Sequence, residues 1–152
     1  MKLCMAQINT LVGDIAGNTQ RVLEVSAAQK AAGAHMVVFP ELTLTGYPPE
    51  DLLLRGDLLD RSEAALARLC AELPPDLAVI VGYPRRQDGV LFNSAGVISA
   101  GKLLAQYDKQ CLPNYEVFDE KRYFTAGAEP CIVDIDGLSV GLTICEDIWH
   151  PE

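Results

Sequence analysis

The sequence predicts an α+β fold in which helices pack on a mixed β-sheet. Two observations support this class. In the first half of the chain, apolar runs typical of buried strands alternate with two helical patterns, in the order β-α-β-α-β. In the second half, turn dipeptides separate short apolar runs, namely Asp88-Gly89, Ala100-Gly101 and Asp136-Gly137. Such dipeptides predict hairpins, so antiparallel pairing is expected to follow the crossovers.

The first half divides into three strands and two helices. Residues 2–9, 35–39 and 77–83 predict the strands, and Pro40 stops the second of them. Asn18 is the predicted N-cap of a helix that runs to about residue 32.

A second helix is predicted to begin at Asp57 or Asp60, run to about residue 73 and end at Pro74-Pro75.

The second half is predicted to form hairpins, with strands over residues 90–98, 102–108, 131–135 and 138–144. Pro151 is a suitable first residue for another helix. A natural domain rarely stops at a helix start, so we expect residues 1–152 to be the N-terminal part of a longer domain.

Composition narrows the function classes. The chain has 152 residues, 49% of them hydrophobic, which is enough for a core. Asp and Glu outnumber Lys and Arg by 21 to 12, giving a formal net charge of −9. Because no basic run stands out, nucleic acid and anionic membrane surfaces are not expected partners. No apolar run approaches the roughly 20 residues that span a bilayer.

Cysteine usage indicates a reducing compartment, and we expect the cytoplasm. There are five cysteines, an odd number, with no CxxC spacing, and the two histidines are far apart. A disulfide framework and a metal site are therefore not expected. The apolar start is short and alternates like a strand, which argues against a signal peptide.

A carboxylate, an ammonium and a thiol each lie just past a predicted strand: Glu41, Lys109 and Cys145. This combination predicts a hydrolytic centre. A free thiol has a pKa of about 8.5, so a base such as Glu41 is needed to accept its proton. Lys109 would stabilise the thiolate and then an oxyanion, with the backbone N–H of Glu146 as a second donor. Nothing marks His150 as the base.

Each of the three residues also has an ordinary structural explanation. A cysteine after an apolar run can be a small core residue. A loop glutamate is commonly solvated, and a lysine commonly lies on the surface. The prediction depends on the three contexts occurring together in this order.

The chain resembles the carbon–nitrogen hydrolase (nitrilase) superfamily, which has a Glu-Lys-Cys triad in this chain order. Within it, the segments resemble the N-terminal glutaminase domains of glutamine-dependent NAD synthetases, over residues 46–53, 112–124 and 144–149. The resemblance implies a four-layer α-β-β-α sandwich. Residues 1–152 would be the N-terminal portion of its glutamine amidohydrolase domain.

The resemblance also implies a reaction. Cys145 would cleave the side-chain amide of glutamine through a thioester, with Glu41 as general base and Lys109 as electrostatic stabiliser. In the family, the ammonia passes to a C-terminal synthetase domain, which uses ATP and Mg to amidate deamido-NAD to NAD. No glycine-rich phosphate loop occurs here, so the ligase step would not come from these residues. No cofactor is expected in this segment, and the full-length enzyme is expected to be a homo-oligomer.

Four further residues are candidates for the substrate site, three of them through the resemblance. Tyr47 and Tyr115 match positions that hold glutamine, and Glu146 follows the nucleophile. Glu120 would be an additional carboxylate near the lysine, and Glu116 is its rival for that role.

Two other functions share these features. One is a stand-alone nitrilase-like amidase acting on another small amide. The other is a non-catalytic assembly module. We expect the 152-residue segment alone to be weakly stable and nearly inactive.

Overall fold

Five strands form one mixed sheet in the computed structural model, which describes residues 1–149. They are β1 (Leu3–Met5), β2 (Met36–Val38), β3 (Ala78–Gln87), β4 (Val90–Ser99) and β5 (Lys102–Asp108). The strands lie side by side in chain order. The pairs β1–β2 and β2–β3 are parallel, whereas β3–β4 and β4–β5 are antiparallel. The predicted change from crossovers to hairpins is confirmed.

Two α-helices connect the parallel strands: α1 (Ile15–Ala31) and α2 (Gly56–Glu72). After β5 the chain forms a separate antiparallel hairpin of β6 (Ile132–Ile135) and β7 (Leu138–Gly141). Three short 3₁₀ helices complete the described elements: Glu50–Leu54, Glu120–Arg122 and Cys145–Trp149. The predicted helix start at Pro151 lies outside the described residues.

The five-stranded sheet is buried on both faces. On β3, Val79 and Val81 belong to the core filled by the two helices. Ala78 and Ile80 belong to a second core, which includes Ile135 of the β6–β7 hairpin. Because successive strand residues point to opposite faces, the helices cover one side of the sheet and the hairpin covers the other. The described residues therefore contain a helix layer, a sheet and a second sheet in the order expected of the sandwich.

Helix α1 begins earlier than predicted, and Asn18 is not its N-cap. The cap is Asp14, whose Oδ1 accepts a hydrogen bond from the Gly17 N–H at 3.0 Å. The buried Asn18 side chain instead bonds the N–H and carbonyl of Leu11 and the carbonyl of Leu44. Asn18 therefore joins the segment before α1 to the loop that follows β2.

Helix α2 begins at Gly56, with Arg55 in the N-cap position and no side-chain cap. Both predicted starts, Asp57 and Asp60, lie inside the helix. Asp57 is in the first turn, where its negative charge interacts favourably with the positive end of the helix dipole. No helix within residues 1–149 has the length and apolar character needed to cross a membrane.

Four strands are shorter than predicted, namely β1, β2, β6 and β7, and the difference is largest for β1 and β7. β1 covers only residues 3–5, because its neighbour β2 offers three residues for pairing. The strand predicted over residues 138–144 stops pairing with β6 after Gly141. Leu142 and Ile144 stay buried beyond that point. Cys145 therefore begins a 3₁₀ turn instead of ending a strand.

Candidate active site

Glu41 and Lys109 meet at one edge of the five-stranded sheet. Glu41 follows β2, and Lys109 comes directly after β5. The two antiparallel pairings between β3 and β5 make β5 run in the direction of β2, so both strands end at the same edge. The Lys109 Nζ lies 2.7 Å from Glu41 Oε1. Cys145 is near enough for the charges of both groups to affect its pKa. The structure thus brings the three predicted triad residues together.

The Lys109 side chain is fully buried between two carboxylates. Its exposed fraction is 0%, and its Nζ contacts both oxygens of Glu120 at 3.0 Å in addition to Glu41. Burial favours the neutral amine, but the two carboxylates outweigh it and raise the pKa of Lys109 above its usual range. Lys109 is therefore a permanent cation at physiological pH, not a surface lysine.

Glu120, and not Glu116, is the second carboxylate beside the lysine. Glu120 is buried in the short helix Glu120–Arg122, whereas Glu116 is exposed. Burial and the charge of Glu41 raise the pKa of Glu120, although Lys109 opposes this shift. The hydroxyl of Tyr47 also donates to Glu120 Oε1, at 3.4 Å. Tyr47 thus reaches the cluster through Glu120.

Asn93 is a member of the cluster that the sequence analysis missed. It lies on β4, fully buried, and its Nδ2 donates to Glu41 Oε1 at 2.6 Å. Its backbone carbonyl also accepts from the Lys109 N–H at 2.8 Å. One residue therefore holds both the carboxylate and the lysine. The sequence did carry a signal, because Asn93 is an amide within a largely apolar predicted strand, and buried polar groups require partners.

A glycine on β3 allows the loop of Glu41 to lie against the sheet. A Cβ on Gly82 would lie 2.4 Å from the Leu42 nitrogen and 2.7 Å from the Pro40 carbonyl oxygen. The Leu44 N–H donates to the Gly82 carbonyl at 3.1 Å. A glycine inside a predicted strand is a recognised sign of close backbone approach. Here that approach fixes the backbone on both sides of Glu41.

Cys145 occupies a strained backbone position at the start of its turn. Its φ is +50°, a left-handed conformation that costs a non-glycine residue on the order of 1–3 kcal/mol. Cys145 is exposed, unlike a cysteine that packs in the hydrophobic core. Partial burial and the charge of Glu41 raise the pKa of the Cys145 thiol, while Lys109 and the Glu146 backbone N–H oppose the rise. This direction of shift favours the neutral thiol over the thiolate.

Tyr115 and Glu146 form a polar pair near the thiol. The Tyr115 hydroxyl donates to Glu146 Oε2 at 3.1 Å. Tyr115 is exposed and Glu146 is half-buried, so both groups are accessible to a ligand. Desolvation, followed by the hydrogen bond to Glu146 and the charge of that carboxylate, raises the pKa of Tyr115.

Glu41 and Cys145 line the same open cleft, which has a volume of about 290 Å³. Apolar side chains form much of its wall, including Phe39, Ile80 and Ile144. The Glu41 carboxylate and the Cys145 thiol therefore face one cleft, whereas Tyr47 and Glu120 line a neighbouring one. Within residues 1–149 there is no group of three or more His, Cys, Asp or Glu side chains arranged to hold a metal ion.

The fold and this site place the chain in a known class. Residues 2–152 match the carbon-nitrogen hydrolase family, and the chain belongs to that family. It is similar to the glutamine-dependent NAD(+) synthetase of Xanthomonas campestris pv. campestris (strain 8004), with 44% identity over 155 aligned residues, and to that of Aquifex aeolicus (strain VF5), with 42% over 153. Both alignments include 100% of this chain, but only 28% and 27% of those proteins.

Solved structures give the same result for the fold. The glutamine-dependent NAD+ synthetase of Acinetobacter baumannii superimposes with a TM-score of 0.93 and 40% identity, over 97% of this chain and 28% of that one. An amidase from Nesterenkonia sp. has the same fold, with a TM-score of 0.88 and 24% identity over 99% of this chain and 57% of that one. The nitrilase-type α+β fold is therefore confirmed.

Proposed function

We propose that this chain hydrolyses the side-chain amide of glutamine, as the N-terminal portion of a glutamine-dependent NAD synthetase. The observation that carries the proposal is the Lys109 ammonium held between Glu41 and Glu120 beside the Cys145 thiol. The substrate is inferred from the relatives at 40–44% identity, each named a glutamine-dependent NAD synthetase.

The first step transfers the thiol proton and forms the carbon–sulfur bond. Cys145 Sγ attacks the amide carbon while Glu41 accepts the proton. Asn93 and Lys109 both bind Glu41 Oε1, so Oε2 is the oxygen that we assign to proton transfer. Lys109 and the Glu146 N–H stabilise the negative oxygen of the tetrahedral intermediate.

The second step breaks the carbon–nitrogen bond. Glu41 returns its proton to the departing nitrogen, and ammonia leaves behind a γ-glutamyl thioester on Cys145. Water then attacks the thioester carbon, with Glu41 accepting its proton, and glutamate and the thiol are released. Tyr47, Tyr115 and Glu146 are proposed to hold the substrate, and Glu120 to keep Lys109 charged and in place.

The ammonia is proposed to serve a synthetase domain elsewhere in the full-length protein. That domain would amidate deamido-NAD with ATP and Mg, and the whole enzyme would act as a cytoplasmic homo-oligomer. The 152-residue segment alone is proposed to be nearly inactive, because it corresponds to only 28% and 27% of the length of the two relatives described above.

The test treats the full-length protein with a diazo-ketone analogue of glutamine and maps the adduct by peptide mass spectrometry. We expect one adduct on Cys145 that excess glutamine suppresses, and none in a Cys145→Ala variant. Cys70, which is partly buried away from the cleft, serves as the internal control. An adduct on Cys145 that glutamine does not suppress, together with turnover of simple aliphatic amides, would instead indicate an amidase.

A further inference from the structure

Asp147 lies in the turn that carries Cys145, and its side chain accepts four hydrogen bonds. Its Oδ1 binds the backbone N–H groups of Gln110 at 3.1 Å and Cys111 at 2.7 Å. Its Oδ2 binds the N–H of Ile144 at 2.9 Å and the hydroxyl of Tyr107 at 2.8 Å. A carboxylate has about four lone-pair sites, so this set occupies its accepting capacity.

These partners lie next to two of the proposed catalytic residues. Gln110 follows Lys109 directly, and Ile144 directly precedes Cys145. A single side chain therefore links the chain on the C-terminal side of the lysine to the chain on the N-terminal side of the thiol. Tyr107, on β5, anchors the same carboxylate to the five-stranded sheet.

The two linked segments differ in how firmly they are held. Lys109 is buried, bound to two carboxylates and attached to β4 through its backbone N–H. Cys145 is exposed, lies four residues beyond β7 and has a left-handed φ. A strained residue persists only where its surroundings determine its conformation. Asp147 supplies such a constraint from within the same turn.

We propose that Asp147 is a positioning residue, which holds the Cys145 turn at the correct place relative to Lys109 and Glu41. The inference rests on the proposed hydrolytic function and extends it to a residue that does not touch the substrate. A carboxylate is required, because an asparagine would turn an NH₂ group toward N–H and O–H donors. These hydrogen bonds fix the position of the thiol. The rate of attack on an amide depends steeply on that position.

The experiment compares Asp147→Asn with the parent in the full-length protein, using two measurements. The first is steady-state glutamine hydrolysis, in which we expect kcat to fall about 100-fold while KM changes far less. The second is the pH dependence of Cys145 alkylation by iodoacetamide, followed by peptide mass spectrometry. Burial and Glu41 raise the pKa of Cys145, so a displaced turn should move the alkylation midpoint down, toward that of a free cysteine.

Asp134→Asn is the matched control. Asp134 is an exposed aspartate that also binds a backbone N–H, that of Gly137 in the β6–β7 hairpin, at 3.0 Å. Neither measurement should change in that variant. Parent-like kcat in Asp147→Asn, or a lost kcat with an unchanged alkylation midpoint, would refute the positioning role.

Tyr107→Phe keeps the test informative if Asp147→Asn does not fold. It removes one of the four hydrogen bonds, and we expect a smaller shift of the midpoint in the same direction. An unchanged midpoint in this variant contradicts the inference. If the parent protein does not hydrolyse glutamine, the proposed function fails, but the alkylation comparison still decides whether Asp147 positions the thiol.

Discussion

The Nζ of Lys109 lies 2.7 Å from Oε1 of Glu41, although 68 residues separate them in the chain. Asn93 donates to the same oxygen at 2.6 Å. The carboxylate proposed as the base is thus bound on one side by a cation and an amide, both of them buried. This arrangement fixes the orientation of the base before any substrate enters.

Removal of Lys109 should destabilise the fold as well as abolish activity. Lys109→Met leaves Glu41 and Glu120 close together without a cation, and breaking a buried ion pair in this way costs about 3–5 kcal/mol. Chemical denaturation would measure the loss. Adding Glu120→Gln to the variant should restore part of the stability but none of the glutamine hydrolysis.

The control for this substitution is Lys30→Met. It removes the Lys30–Asp76 pair, which lies at the surface, and should cost no more than about 1 kcal/mol. Similar losses of stability in the two lysine variants would show that burial does not strengthen the Lys109 pairing.

Glu41→Gln should make the thiol more reactive toward alkylation while it prevents amide hydrolysis. After desolvation, the charge of Glu41 is the largest cause that raises the pKa of Cys145, and Lys109 continues to lower it. Loss of the negative charge therefore moves the alkylation midpoint to lower pH. Hydrolysis should fall by about 10²–10⁴-fold, because the base is lost.

Iodoacetamide kinetics between pH 6 and about 10, the range around an ordinary thiol pKa, would measure the midpoint. Glu116→Gln removes an exposed carboxylate from the same part of the protein and should leave it unchanged. A midpoint that rises in Glu41→Gln would contradict the assigned electrostatics.

Asn93→Ala should lower kcat without a comparable change in the alkylation of Cys145. The substitution removes a donor from Glu41 Oε1 and allows the carboxylate to rotate away from the thiol, for which we expect a loss of about 100-fold. Steady-state glutamine kinetics and alkylation rates would be measured on the same samples. Asn9→Ala, at an exposed loop position, is the matched asparagine control.

Gly82→Ala should displace the loop that carries Glu41. The added Cβ would meet backbone atoms of Leu42 and Pro40, which cannot move aside like the end of a flexible side chain. Overpacking of this kind costs about 1–3 kcal/mol, and we expect kcat to fall with it. Gly141→Ala on β7 meets nothing within 4 Å and should be tolerated. Thermal unfolding and glutamine hydrolysis together would separate the two variants.

The strands and the three triad contexts could be predicted because they depend on local patterns. An apolar run that stops at Pro40 places Glu41 just past β2, and a strand that begins after the Ala100-Gly101 turn places Lys109 just past β5. The choice between Glu116 and Glu120 could not be made in this way. It depends on which of the two side chains points toward Lys109 in the folded chain, and no local pattern determines that.

Asn93 and Asp147 were missed for a related reason. Their roles arise from partners that are distant in sequence, with Asn93 52 residues from Glu41 and Asp147 40 residues from Tyr107. The wrong prediction of Asn18 as the N-cap of α1 has a simpler explanation. Asp14 and Asn18 are both good caps, and tertiary hydrogen bonds to Leu11 and Leu44 decided between them.

The ammonium state of Lys109 would also protect the proposed thioester intermediate from the protein itself. A thioester is readily attacked by amines, and a lysine beside it could capture the acyl group as a stable amide that ends turnover. Lys109 is held as an ammonium by two carboxylates, and its nitrogen therefore has no electron pair to donate. The charge that is proposed to help the thioester form would thus prevent self-acylation and leave water as the acceptor.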